Sequence, residues 1–289
     1  MKTKALSTSL ATVALATFTI GGACAVDTEL AKGPDDFLLG VDLLSKHYDQ
    51  GRVLNDGVTG KGTIQGRYYD VGLKVDAYNV LGEELNNPYT GHRNTFGTTT
   101  QFDAKLDYLI EVENLLQVIP YYQWVSYPNL GNVPHSDQQH YLGVDAWWLT
   151  PLQGVELGGG FAYNPFYNAD ENKYGTGGGA SNHDFKAGIG AREFYQHAPV
   201  DLVFWQLFNF GNQQYKQFTD PFNTTGGRGF TTMDLGVKLT QPLFLKDLWT
   251  TLSLEGHFWL EKSDRSALRA ANIDPNEIIL SVGVEYRPE

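Results

Sequence analysis

Stretches of about ten residues that alternate apolar with polar side chains recur along this chain. The segments between them run long, short, long, short. Alternation with period two means a strand with one greasy face and one wet face. Twelve such stretches in succession, with their connections sorted into two length classes, fit few architectures. The best fit is an antiparallel barrel with lipid outside and water inside, joined by long outer loops and short periplasmic turns. A soluble β-sandwich also alternates, but it has no reason to segregate its loops by length.

The clearest stretch is Gln101 to Glu111. Phe102, Ala104, Leu106, Tyr108 and Ile110 share one face, opposite Gln101, Asp103, Lys105, Asp107 and Glu111. Residues 184–192, 232–240 and 276–287 read the same way. Weaker copies cover 37–48, 63–69, 71–80, 114–126, 139–148, 155–167, 200–210 and 248–260. Splitting the second and third of these at Asp70 gives an even strand count, as single-chain bacterial barrels have. The long connections are then 49–62, 81–98, 127–138, 168–182, 211–229 and 261–276. Trp124, Tyr127, Tyr141, Trp148, Phe166, Tyr167, Phe194, Phe208, Phe210, Phe258 and Trp259 fall near strand ends, where flat amphipathic rings suit the membrane interface.

The front end reads as an export signal over residues 1–25. Lys2 and Lys4 precede a short apolar run, and Ala23-Cys24-Ala25 supplies the small-residue cleavage site. Residues 26–35 form a short periplasmic lead, and 36–289 form the barrel. Cleavage after Ala25 removes the single cysteine, so the mature chain has no disulfide framework. It also removes two lysines from a chain whose formal charge is already −12. An acidic chain makes a poor nucleic-acid binder, because phosphate contacts need clustered Lys and Arg. No later apolar run reaches the length of a membrane-spanning helix. The expected location is the bacterial outer membrane with both termini periplasmic.

Parity along the strands assigns a lumen-facing charge set. Its basic members are Arg67, Lys74, Lys105, Lys186, Arg192 and Lys238, with Lys46 at the end of the first stretch. Its acidic members are Asp42, Asp76, Asp103, Asp107, Asp145, Asp184, Asp234, Glu255 and Glu285, with Glu111 and Glu156 beside them. Acids outnumber bases, so a wet lumen would favour cations or polar neutral solutes. Twelve strands lie between the eight that side chains fill and the sixteen that hold a channel. Mixed charges could pair across the interior and close the path, and loops of this length could fold inward as a constriction.

The opening segment GVDLLSKHYDQGRVLNDG resembles the small outer-membrane porins of the TorF type. Gly40, Ser45, Lys46 and Tyr48 are similar to that family's glycine, serine-lysine and aromatic, and Gln65 opens the next strand as in its pattern. The order Gly51-Arg52 reverses the family's. The resemblance covers roughly the first 80 residues together with the overall rhythm of the chain, and implies a porin barrel more than a cargo. The final strand resembles the signal read by the barrel-assembly machinery, with Tyr286 as its aromatic, although the chain ends Arg287-Pro288-Glu289.

Other motifs carry less. Asn168, Asp170 and Asn172 place oxygens at alternate positions, as a calcium loop does, but Lys173 and Gly179 stand where such a loop wants glycine and glutamate. Gly175 to Gly179 lacks the strand and helix of a phosphate loop, and Asn223-Thr224-Thr225 is a bare glycosylation sequon. Neither a metal nor a cofactor is expected. One enzymatic rival remains: Ser126 and His140 face outward at neighbouring strand ends, and a Ser–His pair at a lipid-facing rim can run acyl transfer. No orienting third residue or oxyanion hole accompanies them. The leading expectation is passive diffusion of small polar solutes, with no catalytic residues; a non-conducting structural or adhesive barrel is the alternative. The expected partners are outer-membrane lipid, the barrel-assembly machinery and small polar solutes, with no nucleic acid; association into oligomers is left open.

Overall fold

A computed structural model describes residues 37–49, 52–82, 95–113, 115–128, 138–152, 154–165, 184–197, 200–211, 229–270 and 274–288. The expected export signal, its Ala23-Cys24-Ala25 site and the 26–35 lead lie outside them, as do Asn168–Asn172, Gly175–Gly179 and Asn223.

The chain builds β1 (Phe37–Leu44), β2 (His47–Asp49), β3 (Arg52–Asn55), β4 (Thr59–Tyr68), β5 (Val71–Val80), β6 (Thr99–Tyr108), β7 (Ile110–Val112) and β8 (Leu116–Ser126). It continues through β9 (Gln138–Leu149), β10 (Val155–Asn164), β11 (Asp184–His197), β12 (Val200–Gly211), β13 (Gly229–Pro242), β14 (Leu248–Trp259), helix α1 (Lys262–Ala270, packed on β14) and β15 (Asn276–Tyr286). Each wall strand pairs antiparallel with its neighbours, and β1 lies between β4 and β15. Strands β6 and β7 are two lengths of one wall strand, interrupted where the Leu109 amide turns to the Asp70 carbonyl. Both lengths pair with β8, which closes the ring. Counting β6 and β7 once, the wall is a closed antiparallel barrel of twelve strands.

Burial follows the alternation. On β15, Ile278, Leu280, Val282 and Val284 are exposed, while Glu277, Ile279 and Glu285 are buried. Leu39, Val41 and Leu43 continue the exposed apolar surface onto β1. In water such a surface would drive aggregation; against lipid it is the stable arrangement. Exposed Phe37, Tyr68, Tyr69, Tyr108, Trp148 and Tyr286 gather at the short-turn end as an aromatic girdle. The expected girdle differs: Tyr127, Tyr141 and Trp259 are buried, because parity turns them to the inside. Phe166 and Tyr167 lie outside the described residues.

The turns at this end are tight. Gly154 has φ +81°, and an added Cβ there would lie 2.3 Å from the Phe194 carbonyl oxygen, so the site accepts only glycine.

Two expected loops contain structure. The first predicted strand stops at Leu44, and the 49–62 segment folds into the hairpin β2–β3 before β4 begins at Thr59. Its Val53-Leu54 pair gives it apolar surface to bury, and Asn55 Nδ2 ties the following bend by donating to Gly57 O (2.9 Å) and Thr59 Oγ1 (2.8 Å). The 261–276 segment contains α1, whose Lys, Arg, Leu and Ala residues are good helix formers and whose Leu268 is buried.

Candidate functional site: the lumen and its mouth

Inward-facing glycines shape the wall. Tyr121 lies opposite Gly143, Trp147 opposite Gly158, Trp205 opposite Gly236, Arg67 opposite Gly72, Asp145 opposite Gly160 and Asp42 opposite Gly283. A Cβ on Gly143 would fall 2.2 Å from the Tyr121 ring, one on Gly158 2.4 Å from Trp147, and one on Gly236 2.0 Å from Trp205. Each large side chain therefore lies flat over the neighbouring strand, in the space a missing side chain leaves. A glycine normally weakens a strand; here it is the recess that keeps a ring out of the lumen.

Twelve strands spaced about 4.8 Å apart and tilted about 40° make a backbone ring about 24 Å across. Upright side chains would leave an opening about 12 Å wide. Flat ones leave more.

The inward charges pair along this wall. Arg67 meets Asp107 at 2.5 Å over Gly72. Lys105 meets Asp145 at 3.5 Å and lies 4.4 Å from the Tyr121 ring centroid. Arg192 meets Glu156 at 2.5 Å and stacks 3.9 Å over Trp147. Lys238 meets Glu285 at 2.9 Å. Asp76 takes Lys61 at 3.4 Å, Lys74 at 3.6 Å and the Thr63 hydroxyl at 2.6 Å. Asp42 accepts from Thr251, Asp103 from Gln101, and Asp234 from Asn209. His257 stands between Asp234 at 2.7 Å and Glu255 at 3.8 Å. These ties join strands one or two places apart around the ring, or neighbours on one strand. Asp184 and Lys186 sit in register opposite Asn164 and Ala162; their side chains lie outside the described residues.

Water reaches these groups unequally. The side chain of Glu255 is 35% exposed, Asp145 25%, Lys238 20% and Glu156 18%. Arg67 and Arg192 are 7% and 3% exposed.

One side of the lumen is apolar. Ile119, Trp147, Val203, Trp205 and Leu207 form one cluster with Leu109 and Phe194 against it. Strands β10 and β11 between them carry Gly158, Gly160, Gly188 and Gly190, paired with one another, and the flanking large side chains occupy that hollow. Sequence reasoning did not single out this cluster. It missed Lys61 because the predicted strand began too late; parity counted from Thr59 finds it.

The hairpin β2–β3 occupies the long-loop mouth. The Tyr48 ring stacks on His257 of β14 at 4.1 Å. The His47 ring stacks on Tyr78 of β5 at 4.1 Å, with its Nδ1 2.8 Å from Thr100 Oγ1 on β6. The Tyr127 hydroxyl, just past β8, donates to Asp49, and Leu54 packs with Val125 and Tyr127. At the hairpin's base, Lys46 Nζ lies 2.6 Å from Glu277 and 2.9 Å from Asp56. Strands β14 and β8 are six places apart in the ring of twelve, so the hairpin spans the mouth between opposite sides. Burial drives the His47 imidazole down to about 3, with the Lys61 charge acting in the same direction and a Gln101 hydrogen bond against it. Burial opposes charge on Lys46, but Glu277 and Asp56 outweigh it and raise that ammonium above its ordinary value.

The rim pair is arranged differently from a Ser–His dyad. His140 lies opposite Trp124 and Ser126 opposite Gln138, and His140 Nδ1 lies 2.7 Å from the Tyr122 hydroxyl. Among the described residues, no group of three or more His, Cys, Asp or Glu is placed to hold a metal ion. Among them, no helix is long and apolar enough to cross a membrane.

No family model matches the chain, and no curated protein matches it. Among solved structures, the NanC porin superposes with a TM-score of 0.52 at 8% identity, covering 86% of this chain and 98% of the porin. An outer membrane channel from Pseudomonas putida F1 superposes with a TM-score of 0.49 at 12% identity, covering 92% of this chain and 100% of that one. At such identities, the likeness to the porin is one of fold.

Proposed function

We propose that this barrel is a porin-like channel of the bacterial outer membrane, passing small polar solutes by passive diffusion with a mild preference for cations. The supporting observation is the state of its inward charges. They pair along the wall beside glycine recesses, and Glu255, Asp145 and Glu156 are among the groups water reaches best. The two wall charges that water reaches best are both carboxylates, Glu255 and Asp145, and carboxylates facing a lumen enrich cations. In this reading the short turns and both termini are periplasmic, the long loops face outward, and β15 is the strand read by the assembly machinery. A place among small porins of the TorF type fits it.

The test is conductance of the refolded protein in a planar bilayer under a potassium chloride gradient. Discrete steps with a cation-selective reversal potential are expected, and Asp145→Asn with Glu255→Gln shifts that potential toward zero. A second reading, a non-conducting structural or adhesive barrel, draws on the hairpin across the mouth. An inserted but silent barrel would select it.

A further inference from the structure

We infer that hairpin β2–β3 is the size-selecting element of the channel and that Tyr48, stacked on His257, is its specificity-determining residue. This rests on the channel reading proposed above. A two-stranded ribbon with its side chains is about 10 Å wide, comparable with the opening of about 12 Å inside a lined wall of twelve strands. The ribbon is fastened most heavily on one side. His47 meets Tyr78 and Thr100, Asp49 meets Tyr127, and Leu54 packs on Val125. On the far side, Tyr48 bridges to β14 by a ring stack on His257. Lys46 fastens the base of the hairpin to Glu277 at the start of β15.

The gap between the ribbon and β14 is filled by the Tyr48 ring against His257, with Asp234 and Glu255 beside that imidazole. A solute entering there meets two carboxylates and an aromatic ring. That combination suits a small organic cation, drawn by charge and by the ring face, with girth limited by the ribbon. Removing the Tyr48 ring widens this gap while leaving the fastenings on β5, β6 and β8 in place.

The experiment compares the wild-type chain, Tyr48→Ala, and a variant with residues 47–55 replaced by a short Gly-Ser turn. All are refolded, checked for barrel formation by heat-modifiable migration, and measured in planar bilayers with ammonium, tetramethylammonium, tetraethylammonium and tetrabutylammonium chlorides. The expected result is a graded widening: Tyr48→Ala admits the next larger cation, and the shortened variant conducts about two-fold more or better, because the ribbon fills most of the mouth. A conducting wild type whose conductance and cation cut-off are unchanged in both variants overturns the inference and leaves the channel reading standing. A silent wild type with a conducting shortened variant supports the hairpin as the limiting element and overturns free diffusion through the native chain. Silence in all three overturns both.

Discussion

Acidification is expected to loosen the hairpin through His47. That ring lies between the Tyr78 ring, Thr100, Gln101 and Lys61, and burial holds it neutral down to about 3, against 6.5 for a free imidazole. Between those values the undocked hairpin takes up a proton that the docked one refuses. The docked state is therefore fully favoured above 6.5 and loses about 1.4 kcal/mol for each pH unit below it. At about pH 5 the loss is about 2 kcal/mol, about thirty-fold in the ratio of docked to undocked hairpin. Lys46, whose ammonium is held above its ordinary value, stays charged throughout this range. The assay is bilayer conductance at neutral pH and at about pH 5, for wild type and for His47→Phe. The phenylalanine keeps a ring against Tyr78 but has no site for a proton. Wild-type current should rise reversibly on acidification and the variant's should stay flat. An equal acid response in both proteins would refute the assignment to His47, and an absent response in wild type would refute the docking energetics.

Other expectations follow from the wall. Gly143→Ala and Gly236→Ala force the Tyr121 and Trp205 rings off the wall and should each destabilise folding by about 1–3 kcal/mol, read as a shifted urea midpoint on folding into vesicles. Gly62→Ala meets nothing within 4 Å and should leave the midpoint unmoved. Leu254→Lys puts a charge on the exposed apolar band and should cost about 2–4 kcal/mol near the bilayer midplane in the same titration. Arg192→Ala strips Glu156 of its partner and Trp147 of its stacked guanidinium, and should cost about 3 kcal/mol or more. Restoration by an added Glu156→Gln would show that the stranded carboxylate carries most of that loss.

The wall was legible in the sequence because lipid and water impose opposite demands on alternate residues, and that demand is written one residue at a time along β6, β13 and β15. Inward placement of Arg67, Asp103 or Lys238 follows from parity alone. What parity does not encode is how far a side chain reaches or which way it leans. Tyr121 and Trp205 lie flat only because Gly143 and Gly236 sit on the adjacent strand, a relation between residues far apart in sequence. The hairpin was hidden for a related reason. His47 and Tyr48 continue the alternation of β1, so they read as more wall, and Val53-Leu54 is too short a run to announce a strand. Helix α1 had a local signal in its helix-forming composition, overlooked because the surrounding pattern favoured strands and loops. Tyr127, Tyr141 and Trp259 show the limit of reading aromatics by position: a ring near a strand end serves either the membrane interface or the mouth, and only parity separates the two.

The pairing of large inward side chains such as Tyr121, Trp147 and Trp205 with a glycine on the adjacent strand makes the bore of this barrel adjustable without moving its backbone. Exchanging the members of one pair moves the recess to the other strand and leaves the circumference unchanged. Changing one member alone either jams the wall or opens a hollow in it. In the channel proposed above, variation in what is admitted should therefore travel as coupled substitutions on adjacent strands, with strand number and hydrogen-bond register held constant, much as a pipe is relined without being replaced.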